Sequence, residues 1–145
     1  MRRSILNIVL LGFFVLGFLR ANELGVEVRP SDKELIESEP KRIVTTDFRV
    51  TNKTLGRQEF ISEVELPEEW ILIIEDFPFE LNSNESVIKT ISFFIPQNAL
   101  ADKYEVTYRV RGREFFSISD FFTIHVVVLP AAKLKVTLPI LRIEK

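Results

Sequence analysis

Residues 66–104 read LPEEWILIIEDFPFELNSNESVIKTISFFIPQNALADKY. The step Pro67-Glu68-Glu69-Trp70 opens the stretch, an apolar run follows at Trp70–Ile74, and a run rich in β-branched and aromatic residues, Val87–Ile95, stops at Pro96. No apolar period of 3.6 residues passes through it. Short β-prone runs separated by proline and asparagine point to an all-β domain. Trp70–Ile74 is too short for a helix in this context and is expected to form a largely buried strand. Asp76–Ser86, with Pro78, Asn82 and Asn84, is expected to be a loop. In Val87–Ile95 the inward residues are Val87, Ile91, Phe93 and Ile95, with Ile88 and Phe94 on the other face.

The flanks repeat the pattern. Upstream, Gly25–Pro30 alternates and stops at proline, which suits a short edge strand. Ser31–Pro40 is charged, with a possible small strand at Leu35-Ile36. Arg42–Thr51 places Val44, Thr46, Phe48 and Val50 on one face and Thr45, Asp47 and Arg49 on the other. Gln58–Leu66 sets Phe60, Ser62, Val64 and Leu66 against Glu59, Glu63 and Glu65. Downstream, Tyr104, Val106, Tyr108 and Val110 alternate with Glu105, Thr107, Arg109 and Arg111, and Gly112 marks a turn. Phe115–Ile118 and Phe121–Leu129 follow, split near Asp120, and Lys133–Leu138 alternates once more. Seven to nine such strands predict an immunoglobulin-like antiparallel β-sandwich.

The N-terminus is of another kind. Arg2 and Arg3 precede the apolar run Ile5–Leu19, after which Arg20-Ala21-Asn22-Glu23 is polar again. That layout is expected for a helical secretory signal peptide over residues 1–21, ending at Ala21; an uncleaved membrane anchor is the other reading. The sandwich then occupies 22–130, and 131–145 form a C-terminal extension with an extra edge strand. The chain from Asn22 onward carries 16 basic and 21 acidic residues, a formal charge of −5. That balance argues against a nucleic-acid binder and against membrane association beyond the leader. There are no cysteines, so packing alone must hold a domain placed outside the cytoplasm.

The punctuation from Val44 onward resembles that of the NPCBM-associated (alpha-galactosidase-associated) bacterial immunoglobulin-like domains. The residues that carry the likeness are Thr51-Asn52, Pro67, Trp70, Asn84-Glu85-Ser86, Ile95-Pro96, and then Ala99 and Tyr104. Asp102 departs from it, standing where that family prefers glycine; aspartate tolerates left-handed backbone better than most residues. The resemblance implies an accessory, non-catalytic module of secreted or surface proteins and names no ligand. Sandwiches of this sort also resemble the first domain of periplasmic pilus chaperones, which carry a second domain.

Candidate chemistry is sparse. His125 is the only histidine. A metal centre needs imidazole or thiolate partners and an acyl-transfer triad needs a histidine base, so His125 is expected to be a core or sheet-face residue, and no cofactor or metal is expected. Glu59, Glu63 and Glu65 share the outward face of a strand expected beside the one carrying Arg109 and Arg111. Cross-strand ion pairing explains them better than a glycosidase acid–base pair.

Trp70 is expected in the core rather than as a sugar platform. The sequons at Asn52 and Asn84 suit turns, Asn52 above all. The pairs Phe115-Phe116 and Phe121-Phe122 each put a ring on either side of a strand. Residues suited to a partner are therefore Arg109, Arg111, Arg113, Phe116 and Phe122, joined by Leu134, Val136 and Leu138 for association along a sheet edge. The expectation is a non-enzymatic secreted or periplasmic module that binds a protein in envelope or surface-appendage assembly. Its alternatives are a small pilus-type chaperone and an accessory carbohydrate-binding module.

Overall fold

Phe48 and Phe60 are the anchors of two strands that end up in opposite sheets, and their burial explains the layering. The computed structural model describes residues 25–74 and 77–130. The expected leader 1–21 and the segment Lys133–Leu138 lie outside the described residues. Those described hold nine strands and no helix: β1 (Val26–Pro30), β2 (Leu35–Ser38), β3 (Arg42–Asn52), β4 (Gln58–Glu65), β5 (Ile71–Leu72), β6 (Phe79–Leu81), β7 (Ser86–Ile95), β8 (Lys103–Gly112) and β9 (Ser119–Val128).

One sheet has the order β1-β3-β7-β5 and the other β2-β9-β8-β4-β6. The domain is thus an immunoglobulin-like β-sandwich, as the alternation predicts. Every pairing is antiparallel except β2 with β9.

Alternation sets which residues face the seam. Val44, Phe48 and Val50 of β3, Ile91, Phe93 and Ile95 of β7, Val106, Tyr108 and Val110 of β8, and Ile124, Val126 and Val128 of β9 are all buried. Phe48 stacks on Tyr108 across the seam, with centroids 4.8 Å apart and planes 19° from parallel. Lys89 is on the inward-facing parity of β7, yet its ammonium sits 4.3 Å from the Phe79 ring centroid. A long methylene stem lets it cover apolar surface in this way. Trp70 is only 8% exposed and meets Phe93 at 5.6 Å and Tyr104 at 5.1 Å.

The first strands change sheets. β1 pairs with β3, and β2 then pairs with β9 in the opposite layer. Val28 N–H points away from β3 and donates to the Asp120 carboxylate at 2.8 Å. Asp120 therefore ties the outer edge of one sheet to the last strand of the other. Asp120→Ala should cost about 1–2 kcal/mol, the worth of a part-buried bond to a charged acceptor. Urea unfolding should show the midpoint falling with an unchanged slope; an unmoved midpoint would mean that the tie is energetically idle.

Four expectations need correction. Trp70–Ile74 is not a buried strand: only Ile71-Leu72 pair, at the end of β7, and Ile71, Ile73 and Ile74 are exposed. Only Trp70 turns fully inward, because an edge run that meets its neighbour over two residues has an open outer side. The expected loop Asp76–Ser86 contains β6, whose Phe79 and Leu81 pack against the core. Phe115–Ile118 is a tight turn closed by Ile118 N–H donating to the Phe115 carbonyl at 2.9 Å. No break occurs at Asp120, which lies inside β9. Gly112 does serve that turn: a Cβ there would meet the Phe115 carbonyl oxygen at 2.7 Å.

Candidate protein-contact face

The outer face of the β4-β8-β9 sheet is built by register. Glu63 lies opposite Arg109, and Arg109 opposite Phe121; Ile61 lies opposite Arg111, and Arg111 opposite Ser119. Each arginine then reaches an acid on β4. Arg109 pairs with Glu65 at 3.5 Å, Arg111 pairs with Glu63, and Arg113 with Glu59 at 2.5 Å. These are the cross-strand ion pairs that the sequence predicts. Part-exposed pairs of this kind contribute about 0–1 kcal/mol each. Three acids against three arginines also remove the net positive charge that would draw an anionic ligand.

Aromatic rings lie beside the arginines. The Arg109 guanidinium carbon is 4.8 Å from the Phe121 centroid, and that of Arg111 is 5.2 Å from the centroid of Phe116. Phe116 is 63% exposed and Phe121 52%. Phe122, by contrast, packs against the core. The ring available at the surface is therefore Phe121, and the choice of Phe122 is corrected by strand parity: Ile124, Val126 and Val128 face inward on the same alternation. A guanidinium over a ring holds both side chains in place, which lowers the entropy lost if a partner covers them.

A second surface escapes sequence reading. On the outer side of the other sheet, Ile43 lies opposite Phe94, and Phe94 opposite Ile71. Ile43 is 61% and Ile71 57% exposed, so an apolar row crosses three strands. The only hint in the sequence is that Ile43 and Phe94 sit off the inward parity of their strands. Beside this row the β7 edge is covered, among the described residues, near Phe93 and Phe94, with one further bond from Ile73 N–H to the Ser92 carbonyl at 2.8 Å.

Of the residues behind the family likeness, Pro67, Trp70, Pro96, Ala99 and Tyr104 gather at one end of the sandwich, whereas Thr51-Asn52 and Asn84-Glu85-Ser86 lie at the other end of the β3-β7 pair. Trp70 N–H donates to the Pro67 carbonyl and Ala99 N–H to the Pro96 carbonyl, each at 3.2 Å, while the Tyr104 hydroxyl donates to the Leu100 carbonyl at 3.1 Å. A hollow of about 290 Å³ lies there, lined in part by Glu68, Glu69, Trp70, Asn98 and Tyr104. Its tryptophan is spent on Phe93 and Tyr104 and offers no open ring face to a sugar. Asp102 keeps a negative φ, so the turn it occupies does not require glycine.

Asn52 is fully buried, its side-chain amide donating to the carbonyls of Gly56, Leu81 and Asn82 at 2.8–3.1 Å. It is turn chemistry, and a glycan cannot reach it in the folded domain. His125 lies on the outer side of β9, between Leu35 and Glu105 in register. Among the described residues no group of three His, Asp or Glu side chains is placed to hold a metal ion, and no helix is long and apolar enough to cross a membrane.

No protein-family model and no curated protein sequence matches the chain. Solved structures do. A FixG-related protein from Vibrio parahaemolyticus superposes with a TM-score of 0.53 at 13% identity, over 72% of this chain and 94% of that one. The secreted serine protease VesC from Vibrio cholerae matches with a TM-score of 0.55 at 14% identity, over 77% of this chain and 24% of VesC. E. coli alpha-2-macroglobulin matches with a TM-score of 0.59 at 13% identity, over 74% of this chain and 7% of its own length. In the last two proteins the matched sandwich is a small part of a much longer chain. At these identities the likeness is one of fold.

Proposed function

We propose that the domain is a non-catalytic binding module that works outside the cytoplasm and docks on a protein partner in envelope or surface-appendage assembly. The observation that carries this reading is the pair of exposed rings held under arginines, Phe116 with Arg111 and Phe121 with Arg109. Aromatic residues and arginine are the types enriched where protein surfaces meet, and they supply most of the energy when buried there. The leader-like residues 1–21 and the likeness to NPCBM-associated accessory domains support the compartment and the absence of catalysis.

A full-length tagged chain, recovered from the envelope of cells that make it, should bring down one partner in stoichiometric amount and begin at Asn22. The double variant Phe116→Ala/Phe121→Ala should lose that partner at least about tenfold, because two hot-spot rings are worth more than 1.4 kcal/mol together. Its unfolding midpoint should stay within about 0.5 kcal/mol of the parent, as both rings are at the surface. An equal yield of partner with the double variant would rule this face out.

A second reading, a small chaperone capping client strands, is favoured by the β7 edge, which has no neighbouring strand over Val87–Ile91 among the described residues. Recovery of several unrelated, loosely held clients in the same experiment would select it.

A further inference from the structure

On the outer face of the β4-β8-β9 sheet the charges are sorted into two rows that run side by side. β4 contributes Glu59, Glu63 and Glu65, and β8 with its continuation contributes Arg109, Arg111 and Arg113. Arg113 N–H donates to the Glu59 carbonyl at 2.9 Å, so the pairing carries on past the end of β8. Arg113 is thus level with Glu59, as Arg109 is with Glu63 and Arg111 with Ile61. Phe121 stands one strand further out, level with Arg109, and the Phe116 ring lies against Arg111. Neighbouring rows of opposite sign make the face complementary to itself.

Resting on the protein-contact reading above, we infer that the partner of this face is a second copy of the chain. The two copies dock face to face about a two-fold axis that runs along the strands, between β4 and β8. A half-turn about that axis exchanges the rows and keeps each residue at its own level. Glu63 of each copy then comes over Arg109 of the other, and Glu59 over Arg113. A two-fold axis across the strands would set acid on acid, so charge selects the first arrangement. That axis also leaves the strands of the two sheets nearly aligned, a usual geometry for sheets packed face to face.

Charge also argues for this face over the rest of the surface. Residues 25–130 carry 12 basic and 19 acidic side chains, net −7, so copies brought together elsewhere would repel. Here three acids are balanced by three arginines. The pairs within each chain do not stand in the way, because they are part-exposed and a guanidinium has more N–H groups than one carboxylate uses. Each arginine can hold its own glutamate and take another from the second copy. β4, β8 and β9 are 8, 10 and 10 residues long, which gives a face of about 15 by 30 Å. That is at the small end of specific interfaces, so the dimer should form at on the order of 10–100 μM.

Sedimentation equilibrium on the purified chain tests this. The average mass should rise from one chain toward two as the concentration climbs through that range, and Phe121→Ala should weaken the association about tenfold. Glu63→Lys alone and Arg109→Glu alone should each weaken it at least about tenfold, because each sets two like-charged contacts in every dimer. Mixing these two variants should restore association, since the reversed pair is again opposite in sign, and urea midpoints near the parent's would show both folded. A chain that stays monomeric up to about 1 mM would overturn the inference. So would a dimer that the three variants leave unchanged, or folded variants that mixing does not restore. A monomeric chain that still captures another protein, and loses it with Phe116→Ala/Phe121→Ala, would keep the protein-contact reading and reject the second copy alone.

Discussion

Asn52→Ala is expected to destabilise the domain by about 3–4 kcal/mol. The side chain is fully buried and makes five hydrogen bonds. It donates to the carbonyls of Gly56, Leu81 and Asn82 at 2.8, 3.0 and 3.1 Å, and its oxygen accepts from the Thr54 amide and hydroxyl at 2.9 and 2.7 Å. Truncation leaves part-buried carbonyls and an amide without partners, each costing about 1–3 kcal/mol less whatever water recovers. It also loosens the loop after β3 from the end of β6, leaving the Ser83 hydroxyl bond to the Thr54 carbonyl at 2.6 Å and the Gln58–Leu81 pairing to hold the two together.

Asn52→Asp should be at least as harmful, because it turns a donor toward three carbonyls into a charged acceptor. Thr54→Val should cost only about 1 kcal/mol, as it removes a hydroxyl and keeps the Thr54 amide bond. Urea midpoints at constant slope measure all three. A loss below about 1 kcal/mol for Asn52→Ala would show that the loop re-forms its bonds through water.

Phe48→Ala should cost about 3–5 kcal/mol, the usual penalty for emptying an aromatic site in a core that cannot collapse. Phe48 is fully buried in the middle of β3, paired with β1 on one side and β7 on the other, and its ring stacks on Tyr108 from the facing sheet. Strands clamped on both edges cannot shift inward to fill the space, and the stacking contribution is lost as well. Phe48→Leu, which keeps most of the volume, should cost about 1–2 kcal/mol. Against a total stability of order 5–15 kcal/mol, the alanine variant would stand close to unfolding at 37 °C. Thermal melts of the two variants would separate packing from polarity, and equal small shifts in both would contradict a rigid seam.

What sequence could and could not reveal follows from these same forces. Long strands with neighbours along both sides, β3 and β8, obey the alternation best, because their inward positions meet the seam. The pairing of the Glu59/Glu63/Glu65 face with Arg109 and Arg111 is legible for that reason, since parity and strand adjacency together imply it, whereas Arg113 meets Glu59 from beyond the end of β8. Alternation says nothing about how much of a short strand is paired. Trp70–Ile74 looks like core because it is apolar throughout, yet Ile71 and Ile73 turn outward at an edge. β6 escapes notice because three residues between a proline and an asparagine carry too little pattern to mark a strand.

The Phe121-Phe122 pair shows a further limit. Alternation assigns one ring to each face, and the choice between them depends on whether β9 is continuous through Asp120. Asp120 resembles a turn residue but is held in the strand by its bond to Val28. The pairing of Ser119–Val127 with β8, in which Asp120 lies opposite Val110, fixes that register together with this bond.

The lone parallel pairing, β2 beside β9, has a mechanical consequence. β1 and β2 run in the same direction as β9, so Gly25 and Pro130, the ends of the described sandwich, lie at opposite ends of it. Tension applied between Gly25 and Pro130 therefore pulls β2 and β9 past one another along their length. Their hydrogen bonds share the load in shear, whereas an antiparallel terminal pair joined at the loaded end would open one rung at a time. A module threaded this way in a longer filament or envelope assembly would transmit force before it yields.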